Sequence, residues 1–160
     1  LECPSRLDSY KIGAMGCKLS HYEIIKISKQ KNYKNILILE DDFEFQENFN
    51  LKFNESILEL KFDWHMLYLG GNNNQLPQKI NNCKFIHKSI ETATTHAYAI
   101  SIKLYNVCLK MMLVSGNEID VFYKKLQKNF KIYCIYPSII KQRESESDIF
   151  LGKKMYYLFD

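Results

Sequence analysis

Apolar residues along this chain switch between the spacing of an amphipathic helix and the unbroken runs typical of buried strands. The segment CKLSHYEIIKISKQK (residues 17–31) places Tyr22 and Ile25 close to helical spacing and ends in lysines that suit a helix C-terminus. This helix is expected to begin near Gly13–Gly16. The next segment, NILILE at 35–40, is a continuous apolar run and predicts a fully buried strand.

The patterns that follow continue to alternate between helix and strand. They predict helices at 49–61, from Lys103 to about Leu113 and at 117–128, and strands at 64–71, 83–90 and 95–102. The segment 130–140 predicts a further strand, which Pro137 ends. Gly70 and Gly71 are expected to end the second strand, and the asparagine-rich run 72–82 is expected to form a loop. The alternation predicts one α/β domain over residues 1–160, built around a mixed, mostly parallel sheet.

Three adjacent carboxylates, Glu40, Asp41 and Asp42, come directly after the first predicted strand. Carboxylates repel one another, and burying one without a partner costs several kcal/mol or forces its protonation. The triplet is therefore either a solvent-exposed acidic turn or a group of acids that share a cation. Ligands of α/β sheets bind at the carboxyl ends of strands, so this position is a candidate site.

Composition and charge exclude some classes of protein. Of the 22 basic residues only Arg6 and Arg143 are arginine, and the lysines are interleaved with acids at a net charge of +4. A nucleic-acid-binding protein more often clusters its basic residues and uses arginine, so no nucleic-acid partner is expected. No apolar run approaches the roughly 20 residues of a membrane span. The five cysteines contain no C-x-x-C, which argues against a zinc or redox motif and favours a reducing compartment.

The segment ILILEDD also resembles the first strand of a phosphoacceptor receiver domain, where the acids hold magnesium. A receiver needs a second strand that ends in the phosphate-accepting aspartate, but HMLYLGG contains none. A receiver also begins with its acidic strand, whereas a long segment precedes this one. The receiver interpretation therefore fails on both counts.

The ordered segments GCKLSH, ILILEDD, WHMLYLG, THAYAIS, EIDVFY and YPSIIKQRESESDI together resemble glycosyltransferase family 25, over about Gly16 to Ile149. That family holds bacterial lipopolysaccharide galactosyl- and glucosyltransferases, collagen hydroxylysine galactosyltransferases and related proteins of large viruses. The resemblance implies a GT-A-like three-layer sandwich that uses Mn²⁺ or Mg²⁺. It also implies inverting transfer of galactose or glucose from a UDP-hexose to a hydroxyl on a glycan or hydroxylysine. The expected location is the cytoplasm, for a bacterial or viral protein, rather than the lumen of the endoplasmic reticulum.

The same resemblance implies roles for individual residues. Glu40 and Asp42 would hold the metal and the donor diphosphate, with Asp41 beside them. Asp120 would be the base that deprotonates the acceptor hydroxyl, or else simply the N-terminal acid of the helix that it opens. Further donor contacts are implied for Ser20, His21, His96, Gln142 and Ser147.

These donor contacts have local alternatives. Ser20 and His21 would instead hold neighbouring loops, while Gln142, Ser147 and Asp148 would cap the next turn. Tyr98, in the same segment as His96, is expected to pack in the core.

The chain departs from the family pattern in two places. The family has W-D where this chain has Trp64-His65, with Asp63 one position earlier. The family also begins with an apolar strand, roughly I-N-L followed by D-R, that cups the uracil and ribose, and residues 1–13 do not resemble it. The sequence leaves two expectations open. Either that strand lies outside this sequence, or the chain is a reduced, non-catalytic binding or scaffold protein that needs a second copy or another partner to complete its site.

Overall fold

The computed structural model describes residues 6–143, with side chains from Tyr10 onward. Within this range the helices are α1 (Arg6–Gln30), α2 (Phe49–Glu59), α3 (Ile102–Met111) and α4 (Ile119–Leu126). The strands are β1 (Asn35–Leu39), β2 (Phe43–Phe45), β3 (Met66–Asn73), β4 (Gln78–Lys79), β5 (Ile86–Lys88), β6 (Thr92–Ser101), β7 (Ile132–Ile135) and β8 (Ile140–Gln142). No helix among the described residues combines the length and apolar character that crossing a membrane requires.

A mixed sheet with the strand order β1-β6-β3-β7-β5-β4 forms the centre of the α/β fold, and β2 pairs with β8 in a separate ribbon. The predicted α/β class and mixed sheet are confirmed. The expectation of mostly parallel pairing was wrong, because β3 and β7 pair in parallel whereas the other neighbours in this sheet are antiparallel. Strand β6 inserts between β1 and β3, antiparallel to both, and no helix lies between β3 and β6 in the chain.

This insertion still brings the expected strand ends together. Since β1 and β3 are both antiparallel to β6, they run in the same direction, and their carboxyl ends lie at one edge of the sheet. The first half of β6 lies at the same edge, because Leu39 near the end of β1 pairs with Ala97. The residues that follow β1 therefore face the early residues of β6.

Side chains alternate between the two faces of the sheet and form two apolar clusters. On one face Met66, Tyr68 and Tyr98 pack against α1, α3 and α4. On the other face Leu67 and Leu69 pack with aromatic residues of α2 and β2. Burying one such large side chain contributes about 1.5–3 kcal/mol, so the two clusters fix a three-layer arrangement around the sheet.

Several element boundaries differ from the sequence prediction, and two of the differences lie at glycines. Helix α1 begins at Arg6, well before Gly13, and no strand precedes β1 among the described residues. Gly13 and Gly16 each cost about 1 kcal/mol in a helix and so concealed its first turns. Strand β3 does not stop at Gly70 and Gly71 but continues through them to Asn73, into the segment expected to be a loop.

Glycine at position 70 serves close packing rather than strand termination. A Cβ atom there would lie 2.3 Å from the carbonyl oxygen of Ile140 and 2.4 Å from Nε2 of His96. Both distances are far below ordinary contact, so a side chain at this position would displace β8 or the histidine. The absence of a side chain lets β8 lie directly against the edge of the sheet that carries Glu40.

Candidate active site at the carboxyl end of the first strand

Glu40 follows β1 and is held against β6. Its backbone N–H donates to the carbonyl of His96 at 2.9 Å, which extends the pairing of the two strands by one residue. The Oε1 atom accepts a hydrogen bond from the hydroxyl of Thr95 at 2.6 Å and lies 3.1 Å from Nε2 of His21. Burial acts to raise the pKa of Glu40, but the hydrogen bonds with His21 and Thr95 outweigh it and hold the pKa below its ordinary value. Glu40 is thus a carboxylate at neutral pH.

A chain of buried hydrogen bonds continues from His21 into the core. Its Nδ1 lies 2.7 Å from the hydroxyl of Tyr98, which lies 3.0 Å from the hydroxyl of Tyr123. Burial holds the pKa of both phenols well above their ordinary value, so both are neutral. This series of hydrogen bonds joins α1, the end of β1, β6 and α4. His21 and Tyr98 therefore make hydrogen bonds in addition to packing in the core.

Asp41 and Asp42 lie in a turn between β1 and β2. Asp41 is exposed, whereas Oδ2 of Asp42 accepts a hydrogen bond from Nε2 of Gln142 at 2.5 Å. The carbonyl of Asp42 also accepts from the N–H of Arg143 at 2.7 Å. In the described part of the chain, Oδ1 of Asp42 and Oε1 of Gln142 are buried acceptors with no hydrogen-bond partner. Buried acceptors usually bind a hydrogen-bond donor, an ordered water or a cation, so this pair could hold any of these.

His96 lies at the same edge and is almost fully buried. Its Nδ1 lies 3.1 Å from the hydroxyl of Thr94, a residue with a left-handed φ of 64° that is strained for a β-branched side chain. Nε2 of His96 lies on the side of the Ile140 carbonyl but makes no well-formed hydrogen bond to any described residue. Burial lowers the pKa of His96, and the Ile140 carbonyl and the nearby carboxylates oppose this shift without reversing it. The imidazole is therefore neutral at pH 7.

No hydrogen bond or ion pair joins Glu40 to the other sequence-predicted residues that the structure describes, Asp120 and Ser20. Asp120 lies in the first turn of α4, where its Oδ1 accepts from the N–H of Val121 at 2.7 Å. That position suits a helix N-terminal acid, and its role as a base stays a prediction. Ser20 is exposed and its hydroxyl donates back to the carbonyl of Gly16 at 3.0 Å, a bond local to α1. Ser147 and Asp148 fall outside the described residues.

Residues 11–117 match the family model described as glycosyltransferase family 25 (LPS biosynthesis protein). This chain belongs to glycosyltransferase family 25. The match covers α1 to the segment before α4 and so includes Glu40, Asp42 and His96. It thereby confirms the family that the ordered segments indicated.

Curated relatives of this family 25 chain include named galactosyltransferases. Procollagen galactosyltransferase 1 of Danio rerio is 27% identical over 124 residues, which cover 71% of this chain and 20% of the relative. Procollagen galactosyltransferase 2 of Mus musculus is 30% identical over 97 residues, or 57% of this chain and 16% of the relative.

A protein described as a probable inactive glycosyltransferase 25 family member 3, from Rattus norvegicus, is also similar. It is 36% identical over 61 residues, which cover 36% of this chain and 11% of the relative. The chain spans a fifth or less of the length of these three relatives. Membership of family 25 is therefore established for the chain, while family members differ in activity.

Several residues at this edge of the family 25 domain escaped the sequence analysis. Thr95 and Tyr123 bond to the predicted residues, and Cys17 has its sulfur within 4.8 Å of ligand atoms of His21 and Glu40. The spacing of four residues between Cys17 and His21, which places both on one face of a helix, was the available signal. Nothing local in the sequence indicates Thr95 or Tyr123, because their contacts depend on the insertion of β6.

A cavity of about 490 Å³ lies elsewhere, at the opposite edge of the sheet. Asp63 and Lys131, which precede β3 and β7, line it together with Phe62 and Tyr133. The amino ends of β3 and β7 are remote from the carboxyl end of β1, so this cavity is separate from the acidic site.

Proposed function

We propose that this chain is the donor-binding part of a metal-dependent, inverting glycosyltransferase that transfers galactose or glucose from a UDP-hexose to a hydroxyl of a glycan or of hydroxylysine. The observation that carries the proposal is the pair of buried acceptors, Asp42 Oδ1 and Gln142 Oε1, with Asp42 two residues after Glu40 in the turn that follows β1. Membership of family 25 and the names of two relatives support a hexose as the group transferred.

The residues at this edge fit a hard divalent cation. Mn²⁺ and Mg²⁺ prefer oxygen ligands, and Asp42 and Gln142 each offer a buried oxygen without a partner in the described residues. Glu40 adds a carboxylate that is ionised at neutral pH. When bound, such an ion would act as a Lewis acid on the departing nucleoside diphosphate.

The chain's own residues would bind and orient the donor around this ion. Asp42 and Gln142 hold each other, so one hydrogen bond fixes both ligands before the donor arrives. His96 presents a buried ring nitrogen next to them and is proposed to contact the diphosphate. His21 bonds to Glu40 and so acts as a positioning residue, while Asp41 and Ser20 are exposed and available to the donor.

Inversion needs a base that takes the proton of the acceptor hydroxyl on the side opposite the leaving group. Asp120 is the proposed base. Ser147, together with Asp148, is proposed to contact the diphosphate. The acceptor itself, a glycan or hydroxylysine, is proposed from the names of the relatives and the family description.

A second candidate function is a non-catalytic binding or scaffold domain that needs a second copy or another partner. Two observations favour it. The described segment before β1 is helix α1 rather than a nucleotide-binding strand, and one relative is described as probably inactive. The two functions differ in whether this chain alone binds the donor nucleotide in the presence of metal.

Calorimetric titration of UDP into the chain, with Mn²⁺ or with a chelator, tests the proposal. We expect binding that requires Mn²⁺ and is lost in Asp42→Asn. Glu44→Gln is the matched control, because Glu44 is an exposed acid two positions away that pairs with Lys141 at 3.4 Å. Binding unaffected by the chelator would contradict the metal role, and no binding in either condition would favour the scaffold function.

A further inference from the structure

We propose that Cys17, His21 and Glu40 form a site for a thiophilic divalent cation of the zinc class. The inference goes beyond the proposed glycosyl transfer and does not depend on it. The two proposals share Glu40, so a zinc-class ion here and a hard cation held by Asp42 and Gln142 would compete for its carboxylate. It rests on three ligand atoms of different chemistry, contributed by α1 and by the residue after β1, that converge on one point.

The geometry of the three residues suits a tetrahedral ion. Cys17 and His21 lie one helical turn apart on the same face of α1. The cysteine sulfur, a histidine ring nitrogen and a carboxylate oxygen of Glu40 all lie within 4.8 Å of one another. Zinc bonds of about 2.3 Å to sulfur and about 2.1 Å to nitrogen or oxygen separate neighbouring ligands by roughly 3.3–3.8 Å. Because His21 Nε2 and Glu40 Oε1 are already 3.1 Å apart, only small side-chain movements are needed.

Hydrogen bonds outside the three residues already orient two of them. Nδ1 of His21 lies 2.7 Å from the hydroxyl of Tyr98, which can accept its proton and leave the lone pair of Nε2 directed at the ion. The hydroxyl of Tyr98 in turn bonds to Tyr123, and Thr95 donates to Glu40. Metal-binding histidines and carboxylates usually have such partners, which fix the tautomer and the orientation of the ligand.

The donor set decides which cation fits. A thiolate and an imidazole select zinc-class ions, whereas manganese and magnesium favour sites made of oxygen alone. Three protein ligands leave a fourth position for water or another ligand. On binding, the Cys17 thiol releases one proton to solvent and its sulfur forms the bond to the metal, so no redox partner is required. The Glu40 side chain is 24% exposed, which gives the ion a route from solvent.

Cobalt titration of the reduced, metal-free chain tests the site without reference to enzymatic activity. We expect one Co²⁺ per chain, with a near-ultraviolet thiolate-to-cobalt charge-transfer band and the visible bands of four-coordinate cobalt. Zn²⁺ should abolish both bands by displacing Co²⁺. Cys17→Ser should remove the charge-transfer band. Cys83→Ser is the matched control and should retain it, because Cys83 packs in the cluster on the other face of the sheet.

Two results would overturn the proposal: no charge-transfer band in the wild-type chain at excess cobalt, or a band of equal strength in Cys17→Ser. Glu40→Gln provides a second variant in case Cys17→Ser does not fold, because the amide oxygen can still accept from Thr95. This variant should keep the thiolate band but bind Co²⁺ at least about tenfold more weakly. An unchanged cobalt affinity in Glu40→Gln would also overturn the three-residue site.

Discussion

The hydroxyl of Thr95 donates a 2.6 Å hydrogen bond to Oε1 of Glu40, so the first acid of the acidic triplet is held by the strand next to its own. The same oxygen lies 3.1 Å from His21 on α1. A carboxylate held from two sides loses little further conformational freedom when a ligand binds. Glu40 is therefore oriented before any cation or donor arrives.

Removing the hydroxyl of Thr95 tests whether this contact stabilises the fold. Thr95→Val has nearly the same shape but removes one of the two hydrogen-bond partners of the partly buried carboxylate, and we expect a loss of about 1–3 kcal/mol in the free energy of unfolding. Urea denaturation followed by circular dichroism measures it. Thr95→Ser keeps the hydroxyl and should lose clearly less, so equal losses in the two variants would assign the effect to packing instead.

Replacing the glycine at position 70 should disturb the site through β8. In Gly70→Ala the new methyl group would lie 2.3 Å from the Ile140 carbonyl oxygen, which forces β8 or His96 to move. We expect a destabilisation of about 1–3 kcal/mol, typical of overpacking. Gly16→Ala is the control, because among the described residues a Cβ atom there would meet nothing within 4 Å outside the adjacent turns of α1, and alanine should stabilise the helix by up to about 1 kcal/mol. Equal stability of both variants would show that β8 does not pack as described.

The stability of the chain should depend on pH through Glu59 at the end of α2. Its carboxylate accepts three backbone N–H bonds, from Lys84 at 2.9 Å, Phe85 at 2.9 Å and Ile86 at 3.0 Å. Burial acts to raise the pKa of Glu59, but these bonds outweigh it and hold the pKa below 4.5. Since the folded pKa is lowered, the stabilisation is present above pH 4.5 and is lost as the pH falls through the folded pKa.

Glu59→Gln isolates this contribution. At pH 7 the variant should unfold more easily by about 1.5–3 kcal/mol, because hydrogen bonds to a charged acceptor are lost. The difference from the wild type should shrink as the pH falls below 4.5, the ordinary pKa of the group. Urea midpoints at pH 7 and in acid measure it, with the exposed Glu55→Gln as a control of small effect. A difference that stays constant with pH would exclude a role for the charge.

Replacing Asp120 with Asn tests whether this residue is the catalytic base or only an acid at the N-terminus of α4. If it is the base, Asp120→Asn should lower turnover by about 100- to 10,000-fold while UDP binding stays unchanged. If it only complements the dipole of α4, turnover should stay near the wild-type rate and stability should fall by less than about 1 kcal/mol. Steady-state kinetics and calorimetry on the same preparation separate the two outcomes.

The sequence was sufficient to predict the strand NILIL, the acidic position after it and the family, because each depends on local pattern or on the order of segments. The direction of neighbouring strands could not be predicted, since β6 inserts between β1 and β3 through a non-local pairing. For the same reason the partners of Glu40 and His21 were only partly foreseen. Thr95 and Tyr123 approach them from distant parts of the chain, and only the tertiary fold brings them into contact.

The most direct test of the central claim is the release of UDP from UDP-galactose and UDP-glucose by this chain, with a glycan, a hydroxylysine peptide or water as the acceptor of the hexose. We predict release that requires Mn²⁺, stops with a chelator, falls at least about tenfold in Asp42→Asn and is unchanged in Glu44→Gln. Release at the same rate in Asp42→Asn, or in the presence of the chelator, would contradict a metal-dependent donor site at the carboxyl end of β1.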